Sequence, residues 1–189
     1  KILIQADISG EILLCPEGLS FWGGVDPETG TIIDIHHPCY QQNISGKILM
    51  MPSSRGSCSG SGVLLELCLK NIAPAAIIFH EAEEILSLGA LVAERIFNKP
   101  IPIIKLKKQH YLILRKSSWA TIHGNRLQTD SFDFELTVIK TEHLYLSKYD
   151  NDILAGKYGN AAKTAMEIIC LMAAANDTNT LINIHKGHI

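Results

Sequence analysis

The sequence feature that most constrains the fold is a loop of small residues between two apolar segments. Lys47–Met51 is short and apolar and is followed by Pro52, a pattern typical of a buried strand. Val63–Leu69 is apolar except for Glu66, and this spacing predicts a helix. Pro52–Gly62 lies between them and is almost entirely small and polar. We therefore expect a strand–loop–helix unit in which backbone N–H groups at the helix start can hold an anion.

The side chains of this loop suit an anion or a developing oxyanion. Arg55 offers a planar guanidinium that fits a carboxylate or a phosphate. The positive end of the helix dipole would act in the same direction. The hydroxyl groups of the loop belong to Ser53, Ser54, Ser57, Ser59 and Ser61. A second interpretation stays open, in which the loop is a flexible turn and Ser57 or Ser59 caps the helix.

Three common motifs do not match the loop. A P-loop requires a Lys after its last Gly, and no Lys follows Gly60 or Gly62. The glycine spacing G-x-x-x-G-x-G also differs from the dinucleotide fingerprint G-x-G-x-x-G. Gly56–Gly60 does not match the G-x-S-x-G of a nucleophile elbow. The loop is therefore not assigned to nucleotide binding or to a serine hydrolase.

A further apolar run completes a strand–helix–strand unit. Ala75–Phe79 is the second strand, and such units join parallel strands by a right-handed crossover. Ligands bind at the carboxyl ends of parallel strands, which is where the loop lies. Glu81–Phe97 is predicted to be an amphipathic helix. The cluster of Glu81, Glu83 and Glu84 at its start suits the helix dipole and is interpreted as a solvated face.

The other predicted elements are short. The remaining strands are expected at Lys1–Ile4, Glu11–Cys15, Thr31–Ile35, Ile101–Leu106, Trp119–His123 and Phe132–Ile139. Gly10 is expected to turn the chain between the first two strands, and Asp26–Gly30 carries a strong turn signal. Gln109–Leu114 is expected to form one or two helical turns, and Asn125–Ser131 an exposed loop.

Length and charge limit the classes of protein. A chain of 189 residues fits one domain, or one domain and part of another. The formal net charge is −2 with both signs interspersed, so no nucleic-acid partner is expected. No charged-then-apolar leader and no apolar run of membrane-spanning length is seen, so no membrane contact is expected either.

Cysteine and histidine residues were considered as metal ligands. The five cysteines form no C-x-x-C pair, which favours a reducing compartment and predicts a cytoplasmic protein. Cys15 and Cys68 lie in apolar runs and are expected to be buried thiols. His36 and His37 would point to opposite faces of the predicted strand, and no third ligand stands nearby. The sequence therefore assigns no metal to this chain.

Four segments carry a resemblance to a known family. These segments are Ser20–Gly30 (S-F-W-G-G-V-D-P-E-T-G), Ile33–Pro38 (I-D-I-H-H-P), Pro52–Gly62 (P-S-S-R-G-S-C-S-G-S-G) and Glu84–Phe97. In this order, over roughly residues 8 to 140, they resemble the small subunit, or swivel domain, of the aconitase X family. The resemblance implies an α/β fold: a layered β/β/α swivelling domain with a parallel strand–helix–strand core.

The resemblance also implies an activity. Members of the family are dehydratases (hydro-lyases), in which a Ser of the swivel domain takes a proton from the substrate. By its motif position that Ser is Ser57. The residues expected to bind the substrate beside it are Arg55, Gly56, Cys58 and Ser59. Ser54 stands where the family often has Gly, which bears on the geometry of the loop.

The end of the chain resembles the start of the family's catalytic subunit. The matching segments are Leu144–Gly159 and Ala165–Ile169, and helices are predicted from Ser147 and over Ala161–Ala175. We therefore expect a swivel domain over residues 1–143, followed by a helical stub of the catalytic domain over residues 144–189. The family's iron–sulfur cluster is expected further into the catalytic domain, so none is assigned to Cys170 or to any other residue of this chain.

The family implies two substrates and one catalytic partner. Fused members act on cis-3-hydroxy-L-proline, and two-subunit members act on mevalonate 5-phosphate, so the fused order favours the first. The partner is the catalytic domain, fused or separate, together with the small hydroxy acid. A domain that docks a partner without catalysis remains an alternative. The catalytic hypothesis requires that Ser57 and Arg55 share a site, whereas the docking hypothesis does not.

Overall fold

The computed structural model describes residues 1–139 as a mixed α/β domain. Its elements are β1 (Ile8–Leu14), β2 (Leu19–Ser20), β3 (Ile48–Met50), β4 (Ser54–Arg55), α1 (Ser59–Leu69), β5 (Ala76–Phe79), α2 (Ile85–Phe97), β6 (Ile103–Lys105), α3 (Lys108–Leu114), β7 (Trp119–His123), β8 (Arg126–Gln128) and β9 (Asp133–Glu135). The helices predicted after residue 144 lie outside the described residues.

One sheet of seven strands organises the domain. Its order is β6-β5-β3-β1-β7-β8-β9, with a separate pair β2-β4. The strands β6, β5, β3 and β1 run parallel, whereas β7, β8 and β9 join by antiparallel pairing. The unit β3–α1–β5 is the predicted parallel strand–helix–strand core. The predicted α/β class is therefore confirmed.

Two apolar cores lie on opposite faces of the parallel strands. Residues alternate along β3, so Leu49 belongs to one core and Ile48 to the other. The core with Leu49 contains the buried residues of α1 and α2. The core with Ile48 contains Tyr111 and Leu114 of α3 together with Ile122 of β7 and Leu127 of β8. This distribution gives the helix layer and the second β layer that the sequence predicts.

The predicted turn at Gly10 is wrong, because this residue lies inside β1. A Cβ atom on Gly10 would stand 3.3 Å from the Gly46 carbonyl oxygen, so the glycine serves a close approach of two backbones. Thr31–Ile35 is also not a strand. Only Thr31 and Ile32 of that range form isolated bridges in the described chain, to Asn43 and Val25.

Three strands were not predicted from the sequence pattern. Asn125–Ser131 was expected to be an exposed loop, yet it contains β8, in which Leu127 is buried. This strand is held by a polar contact: Arg126 Nη2 lies 2.6 Å from Asp133 Oδ2 of β9. The other two, β2 and β4, have two residues each and no apolar alternation. Lys1–Ile4 contributes only isolated bridges through Ile2.

The two helices of the helix layer meet at a glycine. A Cβ atom on Gly89 of α2 would lie 2.9 Å from the Ser61 carbonyl oxygen of α1. The Ser61 hydroxyl donates to the Ile85 carbonyl oxygen over 2.5 Å, close to the same crossing. The absence of a side chain at Gly89 therefore sets how closely α1 and α2 approach.

Gly89→Ala should lower the midpoint of thermal unfolding. Forcing packed elements apart costs about 1–3 kcal/mol, which exceeds the ~1 kcal/mol that alanine gains in a helix. The matched control is Gly60→Ala in α1, where the nearest atom to the new Cβ is 3.6 Å away, an ordinary contact. Circular dichroism melting of both variants tests this. Equal midpoints for the two variants would show that the helix crossing tolerates a methyl group.

Candidate active site

The short parallel pair β2–β4 brings two of the sequence motifs together. Leu19 pairs with Ser54, and Ser20 pairs with Arg55. The start of the Ser20–Gly30 motif therefore lies beside the start of the small-residue loop. The pairing therefore holds these two segments side by side.

Two glycines make this approach feasible. A Cβ atom on Gly18 would lie 2.8 Å from the Ser53 carbonyl oxygen and 2.9 Å from Arg55 Cγ. Gly56 has a φ angle of +106°, and a Cβ atom there would lie 2.9 Å from Ser20 Oγ. Both positions thus require glycine on geometric grounds. Whether Gly56 also binds a substrate stays a prediction.

Ser57 lies at the entrance to α1 and is exposed. Its hydroxyl oxygen accepts the Ser59 N–H over a long 3.4 Å, so it caps the helix only weakly. The N–H groups of Gly60 and Ser61 donate to the carbonyl oxygens of Ser57 and Cys58, each over 3.0 Å. The helix start therefore presents fewer unused N–H groups than the sequence led us to expect, because two of them close the first turn.

Arg55 points its charge away from the core. Its side chain is 54% exposed, and its Nη2 atom lies 4.0 Å from Asp34 Oδ2, which is a loose ion pair. Asp34 Oδ1 accepts the His36 N–H over 2.9 Å, which fixes the carboxylate. Arg55, Gly56, Ser57 and Cys58 are all exposed, whereas Ser59 is half-buried. The predicted site residues therefore form one open surface at the carboxyl edge of the sheet.

Glu83 holds the start of this loop, a role that the sequence analysis missed. Its carboxylate accepts the Ser54 hydroxyl over 2.6 Å and the N–H groups of Leu86 and Ser87 over 2.6 and 2.9 Å. It therefore caps α2 and links the cap to β4, so the expectation that it belongs to a solvated acidic face is wrong. Ser53 adds a second link by donating to the Ala82 carbonyl oxygen over 2.8 Å. The spacing of Glu83 to the first turn of α2 was the available signal.

The predicted turn at Asp26–Gly30 is confirmed. Asp26 Oδ1 accepts the Glu28 N–H over 2.9 Å, and Asp26 Oδ2 accepts the Thr29 hydroxyl over 2.7 Å. These two hydrogen bonds hold the pKa of Asp26 below its ordinary value. Gly30 has a φ angle of +71°, which completes the turn.

Large apolar side chains near the motifs are exposed. They are Trp22 (60%), Ile33 (46%), Ile35 (67%) and Tyr40 (42%). The preceding residue, Phe21, is fully buried, so the chain places one aromatic ring of the motif inside and the other outside. We call these four exposed residues the apolar rim. Exposed apolar side chains of this size are candidates for contact with another domain.

His37 has neighbours that the sequence analysis did not foresee. His36 and His37 do not lie on a strand, and a ring nitrogen of His37 lies within 4.8 Å of the thiol sulfurs of Cys15 and Cys39. The statement that no third ligand stands near His37 is therefore wrong. Cys15 and Cys39 are far apart in sequence, and only the fold brings them together. The predicted burial of Cys15 and Cys68 is confirmed.

Comparison with known proteins agrees with this architecture. A family model described as the aconitase X swivel domain matches residues 1–129, and one described as the aconitase X first domain matches residues 143–189. The chain belongs to the aconitase X family. The predicted resemblance is thus confirmed.

Curated relatives of this aconitase X chain are dehydratases. The cis-3-hydroxy-L-proline dehydratase of Pseudomonas aeruginosa is 42% identical over all of this chain and 34% of its own length. The enzyme of the same name from Hypocrea jecorina is 39% identical over 98% of this chain and 33% of its own length. The chain therefore spans about a third of these two relatives. The phosphomevalonate dehydratase small subunit of Methanococcoides burtonii is 37% identical over 69% of this chain and 87% of its own length.

Solved structures share the fold. The aconitase X of Thermococcus kodakaraensis, in its holo-form, matches with a TM-score of 0.54 and 33% identity over 71% of this chain and 92% of that one. A solution structure of a UPF0107 protein matches with a TM-score of 0.56 and 31% identity over 65% of this chain. The expected swivel-type fold is confirmed by these neighbours. Within residues 1–139 no helix has the length and apolar character needed to cross a bilayer.

Glu83→Ala should destabilise the aconitase X chain and loosen the Ser57 loop. Loss of the carboxylate removes the cap of α2 and the partner of Ser54, and loss of a cap costs about 0.5–2 kcal/mol. Thermal melting and amide hydrogen exchange over residues 53–58 measure the two effects. Glu84→Ala is the matched control, because Glu84 is exposed and its side chain makes no capping hydrogen bond. If both variants melt and exchange alike, Glu83 does not anchor the loop.

Proposed function

We propose that this chain is the swivel-domain part of an aconitase X hydro-lyase that removes water from a small hydroxy acid. The observation that carries the proposal is the position of Ser57. It is exposed at the start of α1, two residues from the solvent-facing Arg55, in a chain that belongs to a family whose matched relatives are named dehydratases. A partner-docking domain without catalysis would need neither residue at this place.

The favoured substrate is cis-3-hydroxy-L-proline. The two relatives that match 98–100% of this chain are named for that substrate. Mevalonate 5-phosphate is the second candidate, because several relatives are small subunits of phosphomevalonate dehydratases. The small subunit from Methanococcoides burtonii matches 69% of this chain. Residues 143–189 match the family's first domain. The continuation into a second domain supports the fused type.

In this proposal Ser57 Oγ accepts a proton from the carbon next to the substrate carboxylate. A neutral hydroxyl is a weak base, so the site must favour the ionised form. The positive end of α1 and the Arg55 guanidinium both act in that direction. Arg55 is also suited to hold the carboxylate, because its contact with Asp34 is loose at 4.0 Å and can yield to a two-pronged one. Gly56, Cys58 and Ser59 would shape the rest of the substrate contact.

The second wall of the site would come from the catalytic domain. In this proposal the swivel domain covers residues 1–143, and the catalytic domain begins within this chain at residue 144. The apolar rim, with Trp22 and Ile35 as its most exposed members, is a suitable surface for it to cover. Activity is then expected only when both domains are present. A reducing, cytoplasmic location is proposed with the enzyme, because the four cysteines within residues 1–139 are free thiols.

Residues 1–139 do not fit an iron–sulfur cluster at this surface. A cluster is held by several cysteine thiolates. Cys58 is the exposed cysteine among the described residues, and Cys15, Cys39 and Cys68 are buried. We therefore propose that the cluster expected for the family is held by the catalytic domain, and we assign no ligand for it here.

Ser57→Ala, made in the enzyme with its catalytic domain, should reduce kcat by at least ~10²-fold, since loss of a general base typically costs ~10²–10⁴-fold. Its melting temperature should barely change, because Ser57 makes one weak capping contact. Deuterium exchange at the acidic carbon of the substrate should stop as well. Ser59→Ala, in the same loop and of the same residue type, separates the two roles, because loss of a substrate contact should raise KM rather than lower kcat. Similar rate losses in both variants would argue against a unique base at Ser57.

Arg55→Lys should raise KM for the hydroxy acid by roughly tenfold, in line with the loss of about 1.4 kcal/mol from a two-pronged contact. Lysine keeps the charge but not the planar fork. Steady-state kinetics of the complete enzyme measure the change. Arg126→Lys, in an exposed ion pair on β8, is the control for a general loss of guanidinium groups. Unchanged KM and kcat in Arg55→Lys would remove Arg55 from the site.

A further inference from the structure

Three potential metal ligands meet in the core beneath the loop region. The sulfur atoms of Cys15 and Cys39 and one ring nitrogen of His37 all lie within 4.8 Å of one another. Their residues are 0%, 3% and 2% exposed. His37 is one of two buried polar residues among those described.

The fold holds these three side chains from two segments. Cys15 directly follows β1, and its N–H donates to the Met50 carbonyl oxygen over 2.7 Å. His37 and Cys39 lie on a tight turn, in which the Tyr40 N–H donates to the His37 carbonyl oxygen over 2.9 Å. The strand end and the turn are both fixed by backbone hydrogen bonds. The backbone therefore holds the three side chains close together in the folded chain.

The polar atoms of His37 and the thiol of Cys39 each have a hydrogen-bond partner. His37 Nε2 lies 3.4 Å from the Glu17 carbonyl oxygen, and His37 Nδ1 accepts the Cys39 N–H over 3.1 Å. The Cys39 thiol donates to the Leu14 carbonyl oxygen over 3.5 Å. Burial, and then the neighbouring Cys39, raises the pKa of the Cys15 thiol well above its ordinary value.

We propose that Cys15, His37 and Cys39 form a buried structural site for Zn²⁺. Thiolate and imidazole ligands select zinc over the oxygen-preferring Mg²⁺ and Ca²⁺. One Zn²⁺ with two thiolates and a neutral imidazole has no net charge, which suits a position closed to water. Binding would release the two thiol protons. This assignment departs from the sequence analysis, which gave the chain no metal.

The dimensions of the trio fit such a site after a small contraction. Around tetrahedral Zn²⁺, with bonds of about 2.3 Å to sulfur and about 2.0 Å to nitrogen, ligand atoms lie about 3.5–3.8 Å apart. The present limit of 4.8 Å requires an inward movement of about 1 Å, within the reach of side-chain rotation. The contact of His37 Nε2 with the Glu17 carbonyl is the kind that orients a zinc-bound imidazole. Nδ1 would then exchange the Cys39 N–H for the metal.

The fourth ligand position can be filled by the chain itself. The Leu14 carbonyl oxygen accepts the Cys39 thiol over 3.5 Å, so it is the nearby backbone group that could supply the fourth ligand. Zinc bound here would tie the residues after β1 to the turn at His37. Glu17 and the adjacent Gly18 belong to that tied segment, and Gly18 packs against Ser53 and Arg55. The ion would therefore stiffen the support of the candidate active site without contacting a substrate.

The test is metal binding by the 189-residue chain, purified with a phosphine reductant to keep its thiols reduced. We expect one zinc ion per chain by elemental analysis, retained on dialysis and removed by a strong chelator. Cobalt should replace it and give tetrahedral d–d bands with thiolate-to-metal absorption of two sulfurs. Zinc should also raise the melting temperature of the chelator-treated chain, whereas Mg²⁺ should not.

Variants assign the ligands. Cys15→Ser, Cys39→Ser and His37→Gln should each lose the bound ion. Cys68→Ser is the matched control, because Cys68 is equally buried but lies on α1, and Cys58→Ser controls for an exposed thiol. If a ligand variant fails to fold, the cobalt spectrum of the unsubstituted chain still counts its thiolate ligands. The proposal is overturned if that chain binds no zinc, if its cobalt spectrum lacks thiolate absorption, or if the ligand variants retain the ion.

Discussion

The candidate active site depends on the first turn of α2, which holds both ends of the Ser57 loop. At the start of the loop, Glu83 accepts the Ser54 hydroxyl over 2.6 Å while it caps α2. At the end of the loop, Ser61 donates to the Ile85 carbonyl oxygen over 2.5 Å. The pair β2–β4 has two residues per strand, which is too short to be stable by itself. The hydrogen bonds to α2 therefore supply the order that the short pair cannot.

Three glycines allow the anchored segments to approach one another closely. Gly89 lets α1 approach α2, and Gly18 and Gly56 let the segment of β2 approach β4. Each of these positions would bring a Cβ atom to within 2.9 Å of a neighbouring atom. The loop is thus fixed by contacts at its two ends and by the absence of side chains along its sides. At its exposed centre, the Ser57 hydroxyl makes a long 3.4 Å contact with the Ser59 N–H and takes no part in the anchoring to α2 described above.

The sequence predicted those elements that have a local signature. The strands β3 and β5 and the helix α1 follow from apolar runs bounded by proline or small residues, and the order of the motifs predicted the family. The pair β2–β4 and the strand β8 were missed because their residues are polar or too few to alternate. Gly10 was misassigned because glycine in a strand and glycine in a turn look alike in sequence. The contact of Cys15 with His37 has no local signature, since the two residues meet only in the tertiary fold.

The exposure of Ser57, the proposed proton acceptor, raises a physical difficulty that a covering domain would resolve. In open water, the field of a helix terminus and of a guanidinium is strongly screened, so neither would do much to ionise Ser57. A second domain that covers both the apolar rim and the Ser57 loop would exclude that water and strengthen both interactions. One covering domain would then bury the exposed apolar side chains of Trp22 and Ile35 and shield Arg55 and Ser57 from water. On this argument the domain supplies the charges, and its proposed partner supplies the low-dielectric surroundings in which those charges act.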